Sequence, residues 1–379
     1  MKHNKFLFDE DTMSPAGMVS VSQLQSFMSC PKKWEYGYVE NLTPRVERPY
    51  LSIGKLCHKG MQEAMRCMWE YQGAIPPKDR SERALGVGLE AMEKEWTEYM
   101  SSTMFLEEEI PEQERILSDA RSVFEQAFQE FEPEKYEVLT VWKHGKQVPA
   151  LELHFKVPCA GSKGLHGFID AILLDTQTDC VWCTDYKFRK SLSPDDEEAV
   201  NIQNAVYMYA CAKLKIDVTG TMTWQHCNTP AADPAILKSG QVSRAKIKTT
   251  WEHYEKFCLN LGIDPAPYAE EMSEKLADVE WFRPTYEYRN PITVANIWKN
   301  IVVPASYAVK AAHTKAKKNG QNPRHMYPWN CKMCQFKDLC LAELREHDAD
   351  FLRRTEYATR GGIERGGKNI LDNMSSDVL

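Results

Sequence analysis

The spacing of apolar positions divides the chain into a helical N-terminal part, a strand-rich middle and a mostly helical C-terminal part. SVSQLQSFMSC predicts a short helix capped by Ser20, and Pro31 opens a second helical turn. Leu51, Leu56, Met61, Met65 and Met68 recur at roughly helical spacing and predict an amphipathic helix over 51–71 with these residues buried. A loop over 73–80 and two Glu-rich helices with solvated acidic faces, near 81–101 and 112–131, follow. Strands are expected near 136–143, 149–157, 165–174 and 180–188, then a helix near 197–213 and a strand near 219–227. Beyond Cys227 the pattern is mostly helical.

That order predicts an α/β fold with a mixed central sheet flanked by helices. The core is expected at 132–228, with helical parts at 19–131 and 229–345. Residues 1–18 read as a mobile leader and 346–379 as a tail, polar, Gly-rich and disordered from about Gly361.

Within this pattern, the stretch His166 to Lys190 organises the rest. Two apolar runs flank Thr176-Gln177-Thr178-Asp179, a hairpin signal. Folded symmetrically about Gln177 and Thr178, position n faces position 355 − n, which sets Asp170 opposite Asp185. Opposed Cβ atoms lie roughly 4.5–5.5 Å apart, close enough for two carboxylates to share a divalent cation. Asp185 and Lys187 alternate onto one face. Two carboxylates crowded among apolar side chains repel each other and resist desolvation, and a hard cation removes both costs. The bland alternative is a hairpin with solvated charges.

Composition narrows the class. At 379 residues with 43% hydrophobic and 27% charged, the chain can bury a sizeable core. Its apolar runs fall far short of the roughly 20 residues needed to cross a bilayer, and MKHNKFLFDEDTMSPAG lacks a secretory h-region. These features predict a cytoplasmic protein with no membrane association. The net charge of −7 excludes a bulk cationic field, so nucleic-acid contact must come from local basic patches. Lys310 to Arg324 is one such patch, open to reading as a phosphate track or as a solvated charged helix.

Twelve cysteines without a secretory signal argue against a disulfide framework. Most sit in apolar contexts and read as small buried hydrophobes. Cys331, Cys334 and Cys340 form C-x2-C-x5-C in PWNCKMCQFKDLC, a metal-ligand pattern with one position open, and Cys30 is the best candidate to fill it. Spacing does not separate zinc from an iron–sulfur cluster.

Taken together, Gly54-x3-His58, Asp170 in GFID, Asp185-Tyr186-Lys187 and Gln203-x3-Tyr207 resemble the motifs of PD-(D/E)XK nucleases of the RecB type. Cys30 followed distantly by C-x2-C-x5-C resembles the iron–sulfur staple of AddB and of CRISPR-associated RecB-like exonucleases. Order and spacing match over about residues 20–345. Ile169 replaces the first proline of the motif, and the segments 73–131 and 228–325 carry no quotable motif.

The resemblance implies a restriction-endonuclease-like core and a deoxyribonuclease, an exonuclease on single-stranded DNA ends. It implies Mg²⁺ or Mn²⁺ at Asp170 and Asp185, with His58 and the Tyr186 carbonyl as further ligands. Lys187 would orient or deprotonate the attacking water and stabilise the developing charge. Gln203 and Tyr207 would support the site, Glu152 would stand behind it, and Cys30, Cys331, Cys334 and Cys340 would hold a [4Fe–4S] cluster. Trimming of CRISPR spacer precursors and a non-catalytic nucleic-acid-binding subunit are the alternatives. A homo-oligomer or a repair or recombination partner accords with the resemblance.

Overall fold

The computed structural model describes residues 17–359, apart from 46–48, 103–106, 108–109, 144 and 319. Its main sheet has seven strands: β1 Val19–Ser20, β2 Tyr136–Val138, β3 Leu151–Val157, β4 Leu165–Asp175, β5 Cys180–Arg189, β6 Gly220–Cys227 and β7 Phe282–Glu287. The order β1-β4-β5-β6-β7 forms the spine, and β2 and β3 also pair with β4. β5 and β6 run parallel, while β4–β5 and β6–β7 are antiparallel, so the sheet is mixed.

Helices cover both faces. α1 Val21–Ser29, α2 Pro49–Glu70, α3 Pro77–Ser102, α4 Ile110–Phe131, α5 Ile202–Lys213 and α6 Val303–Lys317 are those that bear on the site. Alternation along the hairpin sends Ala171, Leu173, Trp182 and Tyr186 toward α2, α3 and α4, while Ile172 and Cys183 join Val206, Cys211 and Val309 of α5 and α6. Gly60 of α2 and Gly88 of α3 let the helices close on one another: a Cβ at Gly88 would come 2.5 Å from Phe124 and 2.9 Å from the Gly60 carbonyl. A third cluster, Tyr36, Leu42, Phe336, Leu339 and Tyr357, joins residues 36–42 to residues 336–357.

Several expectations need correction. The predicted strand 136–143 breaks at Leu139: β2 stays in the main sheet, and Thr140–Lys143 turns away to pair with Lys146–Pro149. The predicted helix 197–213 is two helices, Asp195–Ala199 and α5, because Asn201 adopts extended geometry and caps the second. The predicted loop 73–80 ends early, since Pro77 opens α3. The region after Cys227 contributes the edge strand β7, whose polar and aromatic residues gave no apolar alternation to read. Leu51 is 39% exposed, whereas Leu56, Met61, Met65 and Met68 are buried as expected.

At the predicted leader's end, Met18 is buried, while residues 1–16 lie outside the described residues. Past residue 345 the chain forms the helix Ala349–Thr355 and the strand Tyr357–Thr359, antiparallel to Leu42–Pro44. Residues 360–379, with most of the predicted tail, lie outside the described residues. Among the described residues no helix is long and apolar enough to cross a membrane.

Candidate active site

The β4–β5 hairpin runs in the predicted register, from Ala171 opposite Thr184 to Asp175 opposite Cys180. Asp175 closes its turn by accepting the N–H groups of Gln177 and Thr178, at 2.9 and 3.2 Å. Just past the end of that ladder, Asp170 Oδ2 accepts the N–H of Tyr186 at 2.8 Å. Asp185 is 3% exposed, and Lys187 reaches back to it, with Nζ 2.7 Å from Oδ1 and 2.6 Å from Oδ2. Hydrogen-bond geometry holds only for Oδ1; the contact with Oδ2 is electrostatic.

Helix α5 supplies the next two residues. The Asn201 side chain accepts the Gln203 N–H at 3.0 Å and so fixes the first turn. Gln203 Nε2 then donates to Asp185 Oδ1 at 2.9 Å and approaches the Tyr207 hydroxyl at 2.5 Å. Tyr207 is both core and site: its ring packs edge-on against Phe155, 5.9 Å between centroids, and its hydroxyl meets Gln203. From α2, His58 Nδ1 stands 3.7 Å from Asp170 Oδ2, and its ring lies edge-on to Phe188. A Cβ at Gly54 would sit 3.6 Å from the Phe188 carbonyl, an ordinary contact, so that glycine is not required for the approach. His58, Asp170, Asp185, Tyr186, Lys187, Gln203 and Tyr207 therefore share one locality.

Glu152 belongs with them. The pairing of Leu151 with Ala171 and of Leu153 with Ile169 puts Glu152 across from Asp170, on a backbone with φ 46°. Three adjacent strands thus contribute Glu152, Asp170 and Asp185. The signal in the sequence was weak, a single acid in an apolar strand, and it becomes legible only with the β3–β4 register.

Electrostatics follow from this crowding. Burial and then the Asp185 carboxylate push Asp170 up to about 7, against the pull of Lys187 and the Tyr186 N–H. Burial and then Asp170 push Glu152 up to about 9, against Lys59. Burial and the Lys187 ammonium bring His58 down to about 4, leaving a neutral imidazole near pH 7. Burial works to lower Lys187, but Asp185 and Asp170 outweigh it and the net direction is up. In this arrangement Lys187 remains an ammonium, which favours charge stabilisation over proton abstraction.

Among the described residues no three His, Cys, Asp or Glu side chains stand close enough together to form a ready-made metal cage. The donor chemistry nevertheless fits a hard divalent cation: carboxylates in mutual repulsion with one ammonium among them, and a neutral imidazole beside.

Cys30, Cys331, Cys334 and Cys340 lie in a second neighbourhood, around His325. Cys30 Sγ accepts the His325 N–H at 3.4 Å, and Cys331 Sγ lies 3.9 Å from the His325 carbonyl. Burial raises the Cys334 thiol, and Cys30 and Cys340 nearby add to it. All twelve cysteines are free, and seven of the eight in apolar contexts are buried, Cys180 being partly exposed. Protein contacts close the same corner: Arg324 and Lys32 reach Glu343 at 2.5 and 3.4 Å, and Asn322 donates to Glu35 at 2.7 Å. The four thiols are neighbours here, but among the described residues no three of them stand close enough together to form a ready-made metal site.

No curated protein matches the chain. The profile of the PD-(D/E)XK nuclease superfamily matches residues 18–341, a span that contains His58, Glu152, Asp170, Asp185, Lys187, Gln203, Tyr207 and the four cysteines. Members of that superfamily are nucleases, phosphodiester hydrolases that generally use Mg²⁺ or Mn²⁺. The mixed sheet, the helices on its faces and the Asp170, Asp185 and Lys187 hairpin accord with it, and the chain belongs to the PD-(D/E)XK nuclease superfamily.

Proposed function

We propose that the chain is a metal-dependent DNA exonuclease acting on single-stranded ends, with a structural [4Fe–4S] cluster. The observation that carries the reading is the buried Asp185, held at once by Lys187 and Gln203 beside the elevated Asp170.

Asp170 and Asp185, with His58 and the Tyr186 carbonyl, would hold Mg²⁺ or Mn²⁺, which supplies phosphate charge neutralisation and an acidified water. The chain's own part is positional and electrostatic. Gln203 fixes the rotamer of Asp185, and Tyr207 anchors Gln203 from the core. The neutral His58 offers a nitrogen lone pair, which favours Mn²⁺ somewhat over Mg²⁺. The Lys187 ammonium opposes charge that builds on the phosphate during attack.

Cys30, Cys331, Cys334 and Cys340 would hold the cluster and join positions roughly 300 residues apart, so that cluster affinity becomes folding free energy. Zinc is the alternative occupant. Twelve free cysteines accord with a reducing, cytoplasmic setting.

A substrate panel tests the reading: 5′- and 3′-labelled single strands, linear duplex, circular single strands and RNA, each with Mn²⁺. Rapid loss of labelled single-stranded DNA, with circles spared, is expected. Cleavage of circles at the same rate would make it an endonuclease, and preference for RNA would overturn the substrate assignment.

A further inference from the structure

Residues 288–337 contain no Asp or Glu and nine Lys or Arg. Acids make up 54 of the 379 residues, so a stretch of that length would ordinarily hold about seven, and the chain as a whole carries −7. Three exposed aromatic residues of the same stretch lie close to basic ones in sequence. Trp329 is 81% exposed, Tyr327 65% and Tyr307 54%. On α6, Tyr307, Lys310, Thr314 and Lys317 fall at i, i+3, i+7 and i+10 and all are exposed, whereas Ser306, Val309 and Ala312 face the core. Lys332 follows Trp329 by three positions and is also exposed.

This surface is tied to the active site through α1. Gln25 donates to the Asn201 side chain at 3.2 Å, the cap of the helix that carries Gln203. Four residues further, about 6 Å along the axis, the Ser29 carbonyl accepts His325 Nδ1 at 3.0 Å and Asn330 Nδ2 at 3.5 Å, on either side of Tyr327 and Trp329.

We infer that the exposed aromatic and basic side chains of residues 307–332 form a platform that binds single-stranded DNA, with bases stacking on Trp329, Tyr327 and Tyr307 and phosphates on Lys310, Lys317 and Lys332. The inference rests on the proposed nuclease function and adds where the strand is held. Clustered positive charge in an acidic chain selects a polyanion, and exposed rings select one with accessible base faces. A duplex offers phosphates but no free base faces, so the platform discriminates for single strands.

The test measures anisotropy of a fluorescent oligothymidylate with the full chain, Ca²⁺ replacing the active metal. Trp329→Ala should weaken binding by about 5- to 150-fold, the range for loss of one stacked base. Trp329→Phe should restore most of it, and thermal melting should not move. Lys310→Ala with Lys317→Ala should flatten the dependence of log affinity on log salt by about 1.4, from two lost phosphate contacts. Unchanged single-strand affinity in Trp329→Ala, in a wild-type chain that cleaves single strands, would overturn the platform and leave the nuclease function standing. A wild-type chain that neither binds nor cleaves nucleic acid would overturn both.

Discussion

Asp170 Oδ2 accepts the backbone N–H of Tyr186, the residue between Asp185 and Lys187, at 2.8 Å. The bond locks the carboxylate of one hairpin strand to the backbone of the next where the ladder has just ended at Ala171 and Thr184. The hairpin thus orients Asp170 through its own backbone, and the carboxylate stays available at the cost of an elevated proton affinity.

Lys187 should act on the rate and hardly on binding. Lys187→Ala keeps both aspartates, so metal affinity should survive, while single-turnover cleavage with Mn²⁺ should fall on the order of 10²–10³-fold. DNA affinity measured with Ca²⁺ should stay within a few fold, since many phosphate contacts share it. Parallel losses of binding and rate would make Lys187 a phosphate anchor instead.

His58 stands 3.7 Å from Asp170 and is held neutral. His58→Ala should raise the Mn²⁺ concentration needed for half-maximal rate and weaken Mn²⁺ binding by calorimetry. Affinity and rate both equal to wild type would make His58 a packing residue against Phe188.

Asp170 titrates near 7 and Glu152 near 9 in the folded, metal-free chain, against ordinary carboxylate values near 4 when unfolded. Between about pH 6.5 and 9 the folded state therefore holds more protons than the unfolded state, and stability falls as pH rises. His58, held low, acts in the opposite sense only below about pH 6.5. In EDTA the melting temperature should drop across this interval, and Ca²⁺ or Mg²⁺ should reduce the drop. Asp170→Asn should flatten it as well. A melting temperature that climbs from pH 6.5 to 9 in EDTA would contradict the assigned crowding.

The hairpin was legible in the sequence because two apolar runs and one polar tetrad leave a single symmetric register, and the structure has that register. Spacing put Gln203 and Tyr207 on one helix face, and only the resemblance to the family motif pointed that face at the site. Glu152 was legible only as a residue behind the site; its place across from Asp170 depends on a strand partner that local pattern does not name. The edge strand β7 was missed for a related reason: FRPTYE is half-exposed and polar, and only pairing with β6 makes it a strand. The break at Val200–Asn201 was hidden by helical composition on both sides, although Asn201 is a good capping residue.

The proposed cluster predicts iron. Anaerobically purified protein should be brown, with broad thiolate-to-iron absorption near roughly 400 nm. Cys30→Ser and Cys331→Ser should each lose colour and iron, whereas Cys258→Ser, in a separate buried cluster, should keep both. Stoichiometric zinc without iron after iron-replete expression would replace the cluster with a zinc site.

The most direct test of the Asp170 and Asp185 centre is single-turnover cleavage of end-labelled single-stranded DNA by EDTA-stripped protein, before and after added Mn²⁺, beside Asp185→Asn. Asn keeps the size of Asp185 and removes its charge, so the fold should persist. Wild type should be silent in EDTA and recover with Mn²⁺, and Asp185→Asn should stay silent at every Mn²⁺ concentration. Cleavage by wild type in EDTA, or by Asp185→Asn at the wild-type rate, would contradict the account.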